Sequence, residues 1–157
     1  IWGRDEGRRS ECVAALQDQG LRVSAADSLE ALASKCELIV TTTSATAPLL
    51  RAEWIKPGTH ITAVGSDTPE KHELETSLMA LADRVVCDSL DQCRLRGEVA
   101  QALQSGDITE DEVVELGAVL SGSAPGRSGP LEVSVCDLTG VAVQDLHIAE
   151  AVHRAHL

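Results

Sequence analysis

The sequence predicts an α/β domain built on a doubly wound parallel sheet. Short apolar runs rich in Val, Ile and Thr alternate along the chain with segments of helical periodicity, and short connections join them. This alternation is the pattern of βαβ units. With 157 residues the chain is long enough for one domain with its own core. Because it has two Trp but neither Phe nor Tyr, we expect a core of Ala, Val, Leu and Ile.

The first part of the chain is predicted to hold three strands and two helices. Gly20 stands where a glycine just past a helix belongs, and Asp27 or Ser28 is a suitable cap for the second helix. The strongest strand signal lies at 37–42, where the residues are apolar and β-branched. The predicted elements are a strand end at 1–2, a helix over 6–19, a strand over 21–25, a helix from 27 or 28 to about 35 and a strand over 37–42.

The rest of the chain continues the alternation. We predict a loop over 43–53, a strand over 60–64, a helix over 70–83, a strand over 84–88, short helices over 89–96 and 97–103, a helix over 108–120, a loop over 121–130, a strand over 131–136 and a helix over 141–157. The whole pattern indicates a Rossmann-like sheet. It lacks the strand followed by Gly-x-Gly-x-x-Gly that opens a dinucleotide-binding unit. Residues 1–2 look like the end of a strand without its beginning, so we expect a piece of a larger protein, with a sheet that is incomplete at its N-terminus.

Charge and cysteine content exclude several classes of function. The formal net charge of −12 opposes binding to nucleic acid or to an anionic membrane. No apolar run reaches the roughly 18 residues of a transmembrane helix. The five cysteines are scattered without a Cys-x-x-Cys motif, which favours reduced thiols over disulfides or a metal site. We therefore expect a cytoplasmic protein with a small-molecule ligand and no metal.

One candidate catalytic residue follows directly from a strand. Gly65 interrupts the apolar strand 60–64, and Asp67 and Lys71 come immediately afterwards. In open α/β sheets, ligands bind just beyond the carboxyl ends of the strands. A carboxylate at that place is suited to proton transfer, and Lys71 either pairs with it or is solvated.

The same carboxylate has a purely structural alternative. Asp67 fits the first position of a capping box with Glu70, and Thr68 followed by Pro69 would also start a helix. The spacing alone leaves both interpretations open.

Two further segments are candidates for cofactor binding. If residues 1–2 end the second strand of the sheet, Arg4 after Gly3 favours the 2′-phosphate of NADP, whereas Asp5 is suited to the ribose of NAD. A solvated basic cluster is the alternative. Residues 41–44 lie at the carboxyl end of the strongest strand, where their hydroxyls and N–H groups either line a cofactor or form an ordinary Ser/Thr turn.

The order of these segments carries a family resemblance. The stretches involved are 1–4, 39–44, 48–50, 56–61, 63–74, 88–89, 115–117, 126–127 and 137–145. Together they resemble the ornithine cyclodeaminase/mu-crystallin family, in the same order and over nearly the whole chain. The resemblance implies binding of NADP or NAD, with NADP favoured by Arg4, and action on amino acids or imines. It implies an oxidoreductase that transfers hydride at Cα, with Asp67 as proton donor or acceptor.

The resemblance extends to a set of site residues. The expected catalytic residues are Asp67 and Lys71, the expected cofactor contacts are Gly3, Arg4, Thr42, Thr43, Ser44, Val64, Gly65 and Ser66, and the expected substrate contacts are Asp67, Thr139 and Gly140. Three departures speak against ornithine cyclodeamination and for a ketimine reductase or amino-acid dehydrogenase. Ser66 replaces a glycine, Gly3-Arg4 replaces an acidic end of the second strand, and Leu138 replaces a common serine. A cyclodeaminase-type ammonia lyase and a non-enzymatic binding protein remain the alternatives.

The resemblance also implies a division of the full-length protein. Residues 1–140 would form the NAD(P)-binding domain without its first βα unit. Residues 141–157 would form a helix that packs back towards an N-terminal domain outside this chain. That domain would supply the basic substrate-binding residues and the interface of a homodimer, so this chain alone is expected to be inactive.

Overall fold

The computed structural model describes residues 1–156, which form seven strands and seven α-helices. The strands are β1 (Leu38–Thr41), β2 (Thr46–Leu50), β3 (His60–Ala63), β4 (His72–Leu74), β5 (Arg84–Cys87), β6 (Val113–Glu115) and β7 (Ser134–Asp137). The helices are α1 (Glu6–Asp18), α2 (Leu29–Ala33), α3 (Thr76–Leu81), α4 (Leu90–Cys93), α5 (Gly97–Ser105), α6 (Leu116–Leu120) and α7 (Ala142–Ala155). Single 3₁₀ turns lie at Ala52–Trp54 and Glu110–Glu112.

Five of the strands form one parallel sheet in the order β1-β3-β7-β5-β6. The register aligns one apolar side chain from every strand in a single row, and all five are buried. This row consists of Ile39, Ile61, Val135, Val85 and Val113. Buried β-branched side chains across a parallel sheet are the expected source of its stability, at about 1.5–3 kcal/mol for each one fully buried. The predicted parallel α/β fold is confirmed.

The core lies on the face of the sheet that carries this row. Leu78 and Met79 of α3 and Val99 and Ala102 of α5 pack there. On the opposite face Leu38 is 63% exposed, so that face is only partly covered within the described residues. Helices α1 and α7 bury none of their residues.

The start of the chain is more loosely organised than the sequence predicted. Residues 1–2 and 21–25 form no regular strand. The N-terminal ammonium of Ile1 nevertheless donates to the carbonyl of Ser24 at 2.8 Å, and the N–H of Ala26 donates to the carbonyl of Ile1 at 2.8 Å. These two hydrogen bonds have the pattern of a parallel β-ladder. The pairing of Ile1 with the segment 24–26 is therefore all that remains of the two predicted strands.

The predicted loop over 43–53 and the predicted helix over 70–83 are both wrong. The loop contains β2, and the first part of the helix is instead β4, which pairs with β2 in parallel and leaves only α3 as helix. The side chains of Leu74 and Leu78 are fully buried, so their spacing of four residues resembled one face of a helix. A three-residue strand is too short to reveal its own period.

The predicted helix over 108–120 is also wrong. It divides into a 3₁₀ turn, the edge strand β6 and the short helix α6. Pairing of Val113 and Val114 with β5 overrides the helical pattern there. The last strand begins at Ser134, three residues later than predicted, and Leu157 of the predicted C-terminal helix lies outside the described residues. None of the helices within 1–156 has the length and apolar character needed to cross a bilayer.

The start of α5 generates a test of the packing. Gly97 has a φ of +89°, and an added Cβ would lie 2.5 Å from a carboxylate oxygen of Asp137. We expect Gly97→Ala to lower the free energy of unfolding by about 3 kcal/mol, because it combines an unfavourable φ with a buried clash. Gly117→Ala is the matched control, since nothing lies within 4 Å of its added Cβ.

Urea denaturation monitored by circular dichroism measures both free energies. A helical Gly→Ala change at Gly117 should be neutral or stabilising by up to about 1 kcal/mol. Equal stability of the two variants would contradict the packing around Gly97.

Candidate functional site

The carboxyl ends of the five main strands lie side by side at one edge of the sheet. The register aligns Thr41, Ala63, Asp137, Cys87 and Glu115 in the last row. The segments 42–44, 64–67 and 138–140 follow directly from three neighbouring strands. The fold therefore brings the three predicted site segments to the edge where α/β sheets bind ligands.

A groove of about 470 Å³ opens beside the end of β1. Residues 2–4 form one wall, and residues 42–47 with Leu49 form the other. The groove thus unites all five cofactor-binding residues predicted in these two segments, Gly3, Arg4, Thr42, Thr43 and Ser44. Its volume lies within the range of small-molecule sites.

Asp5 is not available to this groove as a free carboxylate. It caps helix α1, where its side chain accepts the backbone N–H of Arg8 at 2.9 Å. Arg4, by contrast, is exposed and lines the groove. The guanidinium group is therefore the charged group that this wall presents.

The buried carboxylate of Glu73 connects the groove to the next strand. Glu73 is fully buried. Its Oε1 accepts the N–H of Thr43 at 2.6 Å, and its Oε2 accepts the hydroxyl of Thr41 at 2.7 Å and the N–H of Gly65 at 2.9 Å. A carboxylate accepts without donating, so three donors match its ionised form. Glu73 is not among the predicted site residues, because it lies in the segment 70–83 that was predicted as helix.

Gly65 is required at its position by close packing. An added Cβ would lie 2.2 Å from the carbonyl oxygen of Thr43 and 2.5 Å from the Glu73 carboxylate. The two loops that follow β1 and β3 are therefore in direct contact. The N–H of Gly65 donates to Glu73, so this group is already engaged within the protein.

Glu98 on α5 forms a second buried acceptor. Its carboxylate accepts the hydroxyl of Ser66, the N–H of Glu73 at 2.8 Å and the N–H of Leu74 at 3.0 Å. Burial raises the pKa of Glu98 above its ordinary value. Ser66 is itself buried, and its hydroxyl is bonded inside the protein. Val64, in contrast, exposes its side chain at the same edge of the sheet.

Asp67 and Lys71 form an ion pair at the surface of this edge. The Asp67 side chain is about half exposed, and the hydrogen bond from Lys71 lowers the pKa of Asp67 below its ordinary value. No helix begins at 68–71, because that segment turns directly into β4. The interpretation of Asp67 as a helix cap is therefore wrong. Its carboxylate is free of backbone capping and open to solvent.

The segment after β7 is held from within the protein. Asp88 accepts the N–H of Gly140 at 2.7 Å and the hydroxyl of Thr139 at 3.2 Å. Gln92 donates to the same hydroxyl at 2.7 Å and to the carbonyl of Gly140 at 2.6 Å. Thr139 and Gly140 thus lie at the predicted edge, but their polar groups are already engaged.

Asp137 is the most strongly perturbed acid near the site. It is almost completely buried, and one carboxylate oxygen accepts the N–H of Val99 at 2.9 Å while the other has no hydrogen-bond partner. Burial raises the pKa of Asp137 to about 8. The side chain caps α5 from inside the fold, and within residues 1–156 no three acidic, His or Cys side chains converge as metal ligands.

Comparison with known proteins identifies the family. The model of the ornithine cyclodeaminase/mu-crystallin family matches residues 1–156. The chain belongs to the ornithine cyclodeaminase/mu-crystallin family. The family resemblance recognised in the sequence is confirmed, whereas the roles of individual residues stay predictions.

Solved structures and a curated relative resemble this member of the family closely. An archaeal alanine dehydrogenase dimer with bound NAD has a TM-score of 0.90 and 34% identity, covering 98% of this chain and 47% of that one. The iminosuccinate reductase of Paracoccus denitrificans in complex with NAD⁺ has a TM-score of 0.88 and 41% identity, covering 96% and 46%. Ketimine reductase mu-crystallin of Mus musculus is 33% identical over 98% of this chain and 45% of its own length. The chain therefore spans about half the length of these relatives.

The raised pKa of Asp137 generates a test by pH. The unfolded carboxyl titrates near its ordinary value of 3.8 and the folded one near 8, so the folded state retains a proton that the unfolded state loses. The protonated Asp137 carboxyl therefore contributes to the free energy of unfolding. This contribution is fully present below about pH 4 and is lost as the pH rises through about 8. We expect Asp137→Asn to remove that decline, because the amide stays neutral and its oxygen still accepts from Val99.

Denaturant unfolding at several pH values measures the difference between variant and wild type. The exposed Asp18→Asn on α1 controls for loss of one carboxylate. A difference that does not change between pH 4 and pH 8 would contradict the assignment.

Proposed function

We propose that the protein containing this chain is an NAD(P)-dependent oxidoreductase that acts on an imine or an amino acid, of the ketimine reductase or amino-acid dehydrogenase type. The observation that carries the proposal is the position of Asp67. This solvent-open carboxylate lies one strand away from the groove of about 470 Å³, and the buried carboxylate of Glu73 accepts N–H groups from both segments. The names of the relatives, an iminosuccinate reductase and a ketimine reductase among them, support the same reaction type.

The residues of the groove fit a dinucleotide. Gly3 allows close approach of the ligand, and exposed hydroxyls on Thr42 and Ser44 offer hydrogen bonds. The exposed Arg4 offers a bidentate partner for the 2′-phosphate of NADP. We therefore infer a preference for NADP, with NAD as the alternative, since two similar solved structures hold NAD.

Asp67 accounts for the proton in the proposed reaction. A bound reduced nicotinamide would supply hydride to the imine carbon, which becomes Cα of the amine. Asp67 gives the proton that the substrate nitrogen requires, and in the oxidative direction it takes that proton back. The Lys71 ion pair keeps the pKa of Asp67 low, which suits the accepting direction. Desolvation by a bound substrate raises a carboxyl pKa and suits the donating direction.

The remaining parts of the site and of the chain have structural roles in this proposal. Thr139 and Gly140 form the substrate-side wall, held rigid by Asp88. Residues 1–140 form the dinucleotide-binding domain, and α7 packs against another part of the full-length protein. Four exposed apolar side chains on α7 support that packing and the proposed homodimer. They are Val143, Leu146, Ile148 and Val152.

Cyclodeamination is the second candidate, because the family includes cyclodeaminases. It predicts ammonia release from ornithine or a related diamino acid without net change of the dinucleotide. The reductase is favoured because Ser66 replaces a glycine of the cyclodeaminases and Arg4 stands where they have an acidic strand end. Net oxidation of NAD(P)H in step with imine reduction would separate the two reactions.

The role of Asp67 can be tested in the full-length protein. We expect Asp67→Asn to lower kcat by about 10²- to 10³-fold, because the amide cannot transfer the proton. The dissociation constant for the dinucleotide should change by less than about twofold, since no bond to the groove is lost. Absorbance at the NAD(P)H band with cyclic imines, or with oxo acids plus ammonia, measures turnover.

Asp91→Asn is the matched control for this test. Like Asp67, Asp91 is an exposed carboxylate in an ion pair with a basic side chain, here that of Arg94. Unlike Asp67, it lies on α4. Full activity of Asp67→Asn would remove the catalytic role. Absence of wild-type turnover with every such substrate would refute the oxidoreductase proposal.

The role of Arg4 gives a separate test of the cofactor. We expect Arg4→Gln to raise KM for NADP(H) about tenfold and to leave KM for NAD(H) unchanged, because it removes a charged partner of the 2′-phosphate. Arg22→Gln, an exposed arginine outside the groove, is the control. Equal changes for both dinucleotides would argue against a contact between Arg4 and the 2′-phosphate.

A further inference from the structure

We propose that Glu73 is a positioning residue that couples occupation of the dinucleotide groove to the placement of Asp67. The effect on turnover rests on the proposed reaction and the effect on dinucleotide binding on the proposed cofactor site, whereas the effect on backbone protection rests on neither. Glu73 touches neither the groove surface nor the Asp67 side chain. It acts through the two backbone segments that carry them.

The two carboxylate oxygens of Glu73 divide between these segments. Oε1 accepts the N–H of Thr43, a residue that lines the groove, at 2.6 Å. Oε2 accepts the N–H of Gly65, two residues before Asp67, at 2.9 Å. A displacement of Thr43 is thus transmitted to Gly65 through one rigid, planar group.

The junction has no room for independent movement of the two segments. An added Cβ on Gly65 would lie 2.2 Å from the carbonyl of Thr43, so the two backbones are already in contact. Glu73 is fully buried, so no water replaces a lost acceptor. The N–H groups of Thr43 and Gly65 are partly buried, so breaking either bond leaves a donor with incomplete solvation, which is unfavourable.

Glu73 is itself held in place from the other side. Glu98 accepts the N–H of Glu73 at 2.8 Å and also the hydroxyl of Ser66. The two residues that immediately precede Asp67 are therefore bound to two buried carboxylates, Gly65 to Glu73 and Ser66 to Glu98. The chain that leads into Asp67 is therefore anchored at both of these residues.

The substitution Glu73→Gln tests the coupling with minimal change in shape. The amide oxygen still accepts from one segment, but the amide nitrogen is a donor and faces the N–H of the other. In the full-length protein we expect the dissociation constants of NADPH and NADH to rise about tenfold and kcat to fall about tenfold or more, because one charged acceptor is lost. Amide hydrogen exchange should accelerate in both 41–45 and 64–67.

Glu75→Gln is the matched control. Glu75 lies two residues further on and also accepts a backbone N–H, that of Ala52 at 3.0 Å, but it bonds to neither site segment. It should leave dinucleotide binding, turnover and exchange in 41–45 and 64–67 as in the wild type. Similar changes in both variants would indicate general destabilisation and overturn the proposal.

A double-mutant cycle separates positioning from a merely structural role. If Glu73 acts on turnover through Asp67, Glu73→Gln should lower kcat by less than about twofold further in the Asp67→Asn background. Its effect on dinucleotide binding should persist there, because that effect passes through Thr43. Multiplicative losses of kcat in the double variant would overturn the positioning role.

The coupling can still be tested if the wild type shows no turnover or if Glu73→Gln does not fold. If the wild type turns over no imine or oxo acid, the proposed function fails, and dinucleotide affinity with hydrogen exchange still decides the coupling. If Glu73→Gln does not fold, Thr41→Val removes one donor to Oε2 while keeping side-chain shape. We then expect about threefold weaker dinucleotide binding and faster exchange in 64–67. Unchanged affinity and exchange in the variant that folds would overturn the proposal.

Discussion

The carboxylate of Glu73 accepts hydrogen bonds from Thr41, Thr43 and Gly65 inside the protein, and the geometry of the ligand edge depends on these bonds. An ionised group without water must have such donors, since an unpaired buried charge is strongly unfavourable. Residues 72–74 are extended because they pair with β2, and this conformation lets Glu73 meet that requirement. A strand directs Glu73 inward between the ends of β1 and β3, and the predicted helix would not have placed it there.

The buried acids Glu98 and Asp137 and the partly buried Asp88 repeat the same arrangement around the site. Glu98 holds Ser66, Asp88 holds Thr139 and Gly140, and Asp137 holds the start of α5. In each case a side chain from one element accepts the N–H or hydroxyl groups that another element leaves unpaired at its end. The polar groups of these loops are consequently used internally. The groups left for a ligand are the exposed ones, above all Arg4, Thr42 and Asp67.

The sequence predicted the elements whose own pattern is strong. The continuous apolar runs at β1, β3 and β5 and the capped helix α1 were correct, because a buried parallel strand and a capped helix are visible locally. The helices predicted over 70–83 and 108–120 were wrong for one common reason. Each contains a three-residue strand, β4 or β6, that is extended only because a neighbouring strand pairs with it.

For the site, the sequence by itself determined the family, the parallel α/β fold and the position of Asp67 just beyond a strand. Those features depend on residue order and local pattern. Only the tertiary structure decided that Asp67 is no helix cap, that Ser66 faces inward and that Glu73 joins the two loops. These facts depend on contacts between segments that are separate in the sequence, such as Glu73 with Thr43, 30 positions away, and no local pattern encodes such contacts.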